Sequence, residues 1–166
     1  MLFWHLGGAI AVFRIVFKDP SADIRFLASG ALLPDLFELV VGGMATSGTS
    51  YLIRFLGHSL LFCLAILIGT LVFTRPPTPA RRRGALLVVG VILHLVFDLF
   101  WIRPGLLFWP LLGWEPNPPV TDWAISIGSV GGELVGLIYL TWLAYKARLG
   151  DAENLRTLLK QGRLHA

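Results

Sequence analysis

Long apolar segments, separated by short basic or proline-rich connections, constrain this chain more than any other feature. Crossing a bilayer as a helix takes roughly 20 apolar residues with few charges. Three segments meet this requirement with at most one acid each: 56–74, 84–101 and 123–145. Two more are apolar but contain ionisable residues: 1–17 and 26–44. The pattern predicts an all-α integral membrane protein with about five membrane segments. Segment 26–44 either spans fully or is broken at Pro34, because proline lacks a backbone N–H.

The composition excludes the main soluble classes. Of the 166 residues, 55% are hydrophobic and 14% are charged, and the mean hydropathy is +0.73. Soluble domains carry about 25% charged residues, so the pI of 9.7 does not indicate a nucleic-acid-binding domain. The lone cysteine, Cys63, lies in an apolar run and excludes a disulfide scaffold. The first segment lacks the basic start and the cleavage site of a secretory signal.

The basic residues predict the orientation of the segments. We assign the connection that contains Arg75 and residues 81–83 to the cytoplasm. Alternation then puts all of the 14 lysines and arginines except Arg54 and Arg103 on that side, as the positive-inside rule requires. The N-terminus is therefore expected outside and the C-terminus inside. Five of the 6 tryptophans then lie at the outer interface, where such rings are enriched: Trp4, Trp101, Trp109, Trp114 and Trp123.

We expect a single membrane domain at 1–145 and a basic cytoplasmic tail helix at 146–166, lying along anionic headgroups. The connection 103–122 is rich in proline and aromatic residues and is predicted to form an outer lid. Small residues recur every four positions in the last segment: Gly128, Gly132 and Gly136. This stripe predicts close helix packing, within the chain or in a homo-oligomer or membrane complex. Glu133 beside it is expected to pair with a neighbouring helix.

Six ionisable residues are predicted to lie in the outer leaflet: His5, Asp35, Glu38, His58, His94 and Asp98. Each such group costs at least ~2.5 kcal/mol in hydrocarbon, so it normally faces a protein interior and has a partner. His94 and Asp98, four residues apart, share one helix face. Asp35 and Glu38 share another. Burial of so many polar groups at one depth indicates a functional cluster.

Imidazole and carboxylate ligands suit zinc, iron or manganese. A catalytic zinc needs about three protein ligands and an open position, which His58, His94 and Asp98 supply, with Asp35 added. We expect a divalent metal, with zinc first. Simpler roles remain open: His94 and Asp98 as a buried hydrogen-bonded pair, Asp35 as the cap of a half-helix, and His5 as an interfacial histidine.

Four short motifs occur in order along the chain: Leu33-Pro34-Asp35, Gly57-His58-Ser59, His94-Leu95-Val96-Phe97-Asp98 and Phe108-Trp109-Pro110. Over roughly residues 30–113 the set resembles the YdjM-like bacterial inner-membrane proteins, a family of membrane-bound, metal-dependent hydrolases. The resemblance implies a multi-pass protein of the inner (plasma) membrane with a hydrolytic metal site. It equates Asp35 with the first acid of the family, His58 with its "H-S" histidine, and His94 with Asp98 as its last pair.

The chain also departs from the family pattern. Members often have a second acid and then a histidine where this chain has Phe37 and Glu38. They often have His-Arg-Gly before the "T-H-S" motif, where this chain has only Arg54 nearby and Gly57 in place of the threonine.

Together these features predict a metal-dependent hydrolase that opens to the outer leaflet and acts on a phospholipid or lipid-linked substrate. Glu38 is predicted to act as general base if it reaches the reacting water. The alternative is a non-catalytic structural or pigment-binding subunit of a larger membrane complex, with a histidine such as His5 ligating a tetrapyrrole. An ion or proton pathway through Asp35, Asp98 and Glu133 would need polar residues in the inner half, where the sequence has few.

Overall fold

The computed structural model describes residues 1–43, 56–99, 104–112 and 122–164. These residues form seven α-helices: α1 (Leu2–Val16), α2 (Ile24–Gly43), α3 (Leu60–Phe73), α4 (Pro79–Phe97), α5 (Pro104–Leu107), α6 (Asp122–Lys146) and α7 (Ala152–Gln161). Because the described residues include no strand, the predicted all-α class is confirmed for this part of the chain.

Five helices, α1 to α4 and α6, coincide with the five apolar segments predicted from the sequence. Among the described ranges, the structure contains no helix with both the length and the apolarity that crossing a bilayer requires.

The predicted alternative of a break at Pro34 is wrong, since α2 continues through it. Pro34 is fully buried, and the packing of α2 against its neighbours holds both sides of the proline in one helix.

Helices α2 and α4 form the most extensive helix pair, and two glycines allow their close approach. A Cβ on Gly30 would overlap the backbone carbonyl of Leu87, and a Cβ on Gly90 would overlap that of Leu27 and lie 2.7 Å from the Ala31 nitrogen. Only glycine permits the two backbones to approach this closely. The contact therefore fixes how α4 lies on α2.

The predicted small-residue stripe of α6 packs against α1 of the same chain. A Cβ on Gly136 would overlap the Phe3 carbonyl and lie 2.6 Å from the Trp4 nitrogen. Gly132 lies under the Trp4 ring, and a Cβ on Gly132 would lie 3.2 Å from that ring. Glu133 accepts a 2.8 Å hydrogen bond from the Phe3 backbone N–H, which confirms that it pairs with a neighbouring helix. The predicted homo-oligomer or membrane-complex contact through this stripe stays a prediction.

The tail predicted to lie on headgroups is partly joined to the helical core. Helix α7 ends at Gly162, whose φ of 72° is left-handed. The Gly162 carbonyl accepts a 2.9 Å hydrogen bond from the Ile24 backbone N–H. Leu164 then inserts into a core cluster that includes Phe13 and Leu143.

The predicted outer lid is described only at residues 104–112, where α5 is a single turn. Leu106 of α5 is buried and packs with Leu95 and Trp109. This contact joins the start of the lid to the end of α4. The remaining part of the predicted lid lies outside the described residues, as do Trp101 and Trp114.

Candidate metal centre

Two helices deliver three of the predicted ligands to one place. Asp35 follows Pro34 within α2, and His94 lies in the last turn of α4. Asp98 is the C-cap of α4, where its backbone N–H donates to the His94 carbonyl at 3.0 Å. His94 and Asp98 therefore face the same side of the helix end, and the α2–α4 contact turns that side toward Asp35.

The fourth predicted ligand, His58, is held by the start of α3. Ser59 is the N-cap of α3, and its hydroxyl accepts a 3.3 Å hydrogen bond from the Phe62 N–H. The same hydroxyl donates to the Leu56 carbonyl at 2.9 Å. Ser59 is fully buried, and this cap fixes the backbone next to His58. The serine of the His-Ser motif therefore has a positioning role of its own.

The four side chains converge, with one ligand atom from each lying within 4.8 Å of all the others. His94 Nε2 lies 3.3 Å from Asp98 Oδ2 and 3.6 Å from Asp35 Oδ1. His58 Nε2 lies 3.4 Å from Asp35 Oδ1 and 3.8 Å from Asp98 Oδ2. Tetrahedral zinc with ligands at about 2.0–2.2 Å separates ligand atoms by roughly 3.3–3.6 Å. The spacing is therefore close to that of a four-ligand shell.

His94 is oriented in the manner of a metal-ligating histidine. It is fully buried, and its Nδ1 donates a 2.8 Å hydrogen bond to the Ala31 backbone carbonyl. That bond leaves the lone pair on Nε2, which has no hydrogen-bond partner among the described residues. The lone pair faces the oxygens of two carboxylates and would be repelled by them unless a proton or a cation lies between. A backbone carbonyl on the other ring nitrogen is one of the usual partners of a ligating histidine.

The cluster is closed on its histidine side and open on one carboxylate. The His58 and His94 side chains are at most 3% exposed, whereas the Asp35 side chain is 41% exposed. Asp98 is intermediate at 18%. Solvent can therefore reach the cluster beside Asp35.

Glu38 lies on the opposite edge of the His58 ring. Its Oε2 is 3.8 Å from Nδ1 of His58, whereas Nε2 of the same ring faces the two aspartates. A carboxylate that hydrogen-bonds one ring nitrogen orients a metal-ligating histidine, but 3.8 Å is longer than such a bond. Glu38 therefore lies beside His58 without a hydrogen bond to Nδ1.

His5 is also part of the cluster, which its expected place at the membrane interface did not suggest. Its side chain is 1% exposed, its Nε2 lies 2.7 Å from Asp98 Oδ1, and its Nδ1 contacts the Met1 carbonyl. The ring stacks on His94, with centroids 4.1 Å apart. Because its Nε2 lies within hydrogen-bond distance of Asp98 Oδ1, His5 is placed to donate to Asp98. The sequence placed His5 at the depth of the cluster but did not indicate Asp98 as its partner.

The structure thus brings together all six ionisable residues that the sequence placed at one depth. The four predicted ligands converge. Glu38 lies beside His58, and His5 contacts Asp98. Glu133 lies on α6 and accepts a hydrogen bond from the Phe3 backbone N–H at the start of α1. The Ala31 carbonyl and the Ser59 cap were not predicted.

Comparison with known proteins identifies a family but no individual relative. No curated protein matches the chain, and neither does any solved structure. A protein family described as "YdjM inner membrane protein" matches residues 1–155, which include every residue of the cluster. The chain belongs to the YdjM inner membrane protein family.

Proposed function

We propose that this chain is a membrane-bound, metal-dependent hydrolase whose ligands are Asp35, His58, His94 and Asp98. The observation that carries the proposal is the buried Nε2 of His94, which has no hydrogen-bond partner among the described residues and faces two carboxylates. A divalent cation at the centre of the four atoms satisfies that lone pair and offsets the two negative charges. Zinc suits this donor set and spacing.

When bound, a divalent metal supplies a Lewis acid and makes water available as a nucleophile near neutral pH. The residues of the chain supply the rest. Asp35 lines the open side, where a substrate can approach. Glu38 lies beside His58, and it acts as general base if it also reaches that open side.

The proposed substrate is an amphiphile such as a phospholipid or a lipid-linked intermediate. Large apolar side chains are exposed along α3 and α6, among them Phe73 at 86% and Ile138 at 67%. Such surfaces are stable against lipid and not against water. The turn after α5 also exposes Phe108, Leu111 and Leu112, next to the buried contact that joins α5 to the end of α4.

The alternative of a structural or pigment-binding subunit finds less support. A histidine that ligates a tetrapyrrole needs space and no competing carboxylate. His5, His58 and His94 each lie within 4.0 Å of at least one aspartate.

Metal content tests the proposal. Purified protein should contain about one zinc-like ion per chain by elemental analysis, and His94→Ala should lose it while keeping its helical circular dichroism. His165→Ala removes the one histidine that is not among the six predicted outer-leaflet residues and should keep the metal. Absence of metal from the unmodified protein after reconstitution with zinc, or retention in His94→Ala, would contradict the proposal. A visible tetrapyrrole spectrum would instead favour the pigment-binding alternative.

The proposed membrane arrangement, with five segments and the N-terminus outside, has its own test. In a Cys63→Ala background, a cysteine replacing Asn117 should react with an impermeant thiol reagent added to intact cells. A cysteine replacing Gln161, an exposed residue of α7, should not react. Labelling at position 161 would show that the predicted orientation is wrong.

A further inference from the structure

A basic cavity lies at the end of the helices opposite the metal cluster. Its volume is about 210 Å³, and its lining includes Phe13, Arg14, Lys18, Asp19, Ile24 and Leu164. Arg14 follows His5 by nine residues of α1, which is about 13 Å along a helix. Ile24 precedes Asp35 by eleven residues of α2, or about 16 Å. The cavity is therefore separate from the proposed hydrolase site.

The surroundings of this cavity are positive. Arg14 and Lys18 line it directly. The acid in the wall, Asp19, accepts hydrogen bonds from the Ser21 hydroxyl at 2.6 Å and the Ser21 N–H at 2.9 Å. These bonds hold the pKa of Asp19 below its usual range, and attraction from Arg82 and Arg163 lowers it further. Asp19 therefore stays ionised, and Arg82 and Arg163 add two cations near it to Arg14 and Lys18 in the lining.

A second carboxylate nearby, Asp23, is paired with two arginines. Asp23 accepts two 2.8 Å hydrogen bonds from Arg25 and one of 3.1 Å from Arg83. Its charge is therefore balanced by those two arginines.

Apolar side chains adjoin the basic ones on α1. Ile15, Val16 and Phe17 are 70%, 64% and 55% exposed, and they lie in sequence between Arg14 and Lys18. Cations on either side of an exposed apolar stretch match the two parts of an anionic lipid, whose phosphate is charged and whose acyl chains are not. The cavity has room for a headgroup, and the exposed stretch offers a surface to the chains.

We propose that this cavity binds the phosphate headgroup of an anionic phospholipid through Arg14 and Lys18, with the acyl chains along residues 15–17. The wall formed by Leu164 makes the C-terminal end part of the site. A bound lipid would therefore hold α1, the turn at residues 17–23 and the C-terminal end together.

Thermal unfolding of the full chain in detergent micelles tests this site. Phosphatidylglycerol added to the micelles should raise the unfolding midpoint by several degrees, because a ligand that binds only the folded state stabilises it. Phosphatidylcholine at the same mole fraction should not. Lys18→Gln, at an exposed position, should weaken the apparent affinity for phosphatidylglycerol by roughly fivefold, and Arg14→Gln combined with Lys18→Gln should abolish the shift.

A charge-matched control distinguishes this site from general attraction to anionic micelles. Arg156→Gln with Lys160→Gln removes two exposed charges from α7 and should leave the shift intact. Equal loss in that control, or an equal shift with phosphatidylcholine, would overturn the site. The same shift with inorganic phosphate would overturn the lipid as its ligand. Neither result bears on metal content, so failure here is distinguishable from failure of the hydrolase proposal.

Discussion

His94 donates a 2.8 Å hydrogen bond from Nδ1 to the backbone carbonyl of Ala31, across the contact between α4 and α2. Gly90 lies one turn before His94, and a Cβ on Gly90 would lie 2.7 Å from the Ala31 nitrogen. The glycine contact and the histidine hydrogen bond are therefore parts of one arrangement. Helix packing directly determines which nitrogen of His94 faces the cluster.

Gly90→Ala should therefore affect both stability and metal binding. Its methyl group would meet the Leu27 carbonyl and the Ala31 nitrogen, and backbone cannot move aside as a flexible side chain does. Overpacking of this kind costs about 1–3 kcal/mol. We expect a lower unfolding midpoint and weaker zinc affinity in a chelator competition.

The matched control is Gly69→Ala in α3, where a Cβ meets nothing within 4 Å. Alanine favours the helix over glycine by roughly 0.5–1 kcal/mol, so this variant should be as stable as the parent or more so. Equal effects of the two substitutions would show that helix propensity, and not the α2–α4 contact, is being measured.

His5→Ala should weaken metal binding without abolishing it. The substitution removes the 2.7 Å partner of Asp98 Oδ1 and the ring that stacks on His94. Loss of a residue that orients a ligand typically lowers metal affinity 10–100-fold. Chelator competition measures the affinity, and elemental analysis at saturating zinc should still find about one ion per chain. Complete loss of the metal would make His5 a ligand.

The site was predictable from sequence to the extent that it depends on depth and periodicity. A polar side chain in an apolar segment must face a partner, and the helical repeat predicts its depth in the membrane. These two rules identified Asp35, His58, His94 and Asp98. The direction of each ring was not predictable. It depends on contacts with residues distant in sequence, such as Ala31 with His94.

The fold was predictable in its helices and less so in their packing. The apolar segments marked five helices, but Pro34 suggested a break that burial in the core prevents. Gly30 and Gly90 lie in different apolar segments, and no local pattern links them. Leu164 likewise reads as part of a polar tail, and only the turn at Gly162 brings it into the core.

Gly136→Ala should destabilise the chain by separating α6 from α1. A Cβ there would overlap the Phe3 carbonyl and lie 2.6 Å from the Trp4 nitrogen, with an expected cost of about 1–3 kcal/mol. Gly131→Ala on the same helix is the control, because nothing lies within 4 Å of its Cβ. Thermal unfolding of both variants measures the difference. Equal tolerance would mean that the stripe does not pack on α1.

The ion pairs of Asp23 should make stability depend on acidic pH. Hydrogen bonds from Arg25, supported by attraction from Arg83, hold the pKa of Asp23 below its usual range, which is near 3.9. A carboxylate with a lowered folded-state pKa contributes stability above its unfolded pKa and loses it as pH falls through the folded one. The thermal unfolding midpoint should therefore decrease when the pH is lowered below about 4.

Asp23→Asn should lower stability near neutral pH by roughly 1–3 kcal/mol and make the unfolding midpoint less dependent on acidic pH. Asp151→Asn removes a carboxylate that makes no capping hydrogen bond and should leave the acid dependence as it is. If the steep loss of stability at acidic pH persists in Asp23→Asn, other carboxylates cause it.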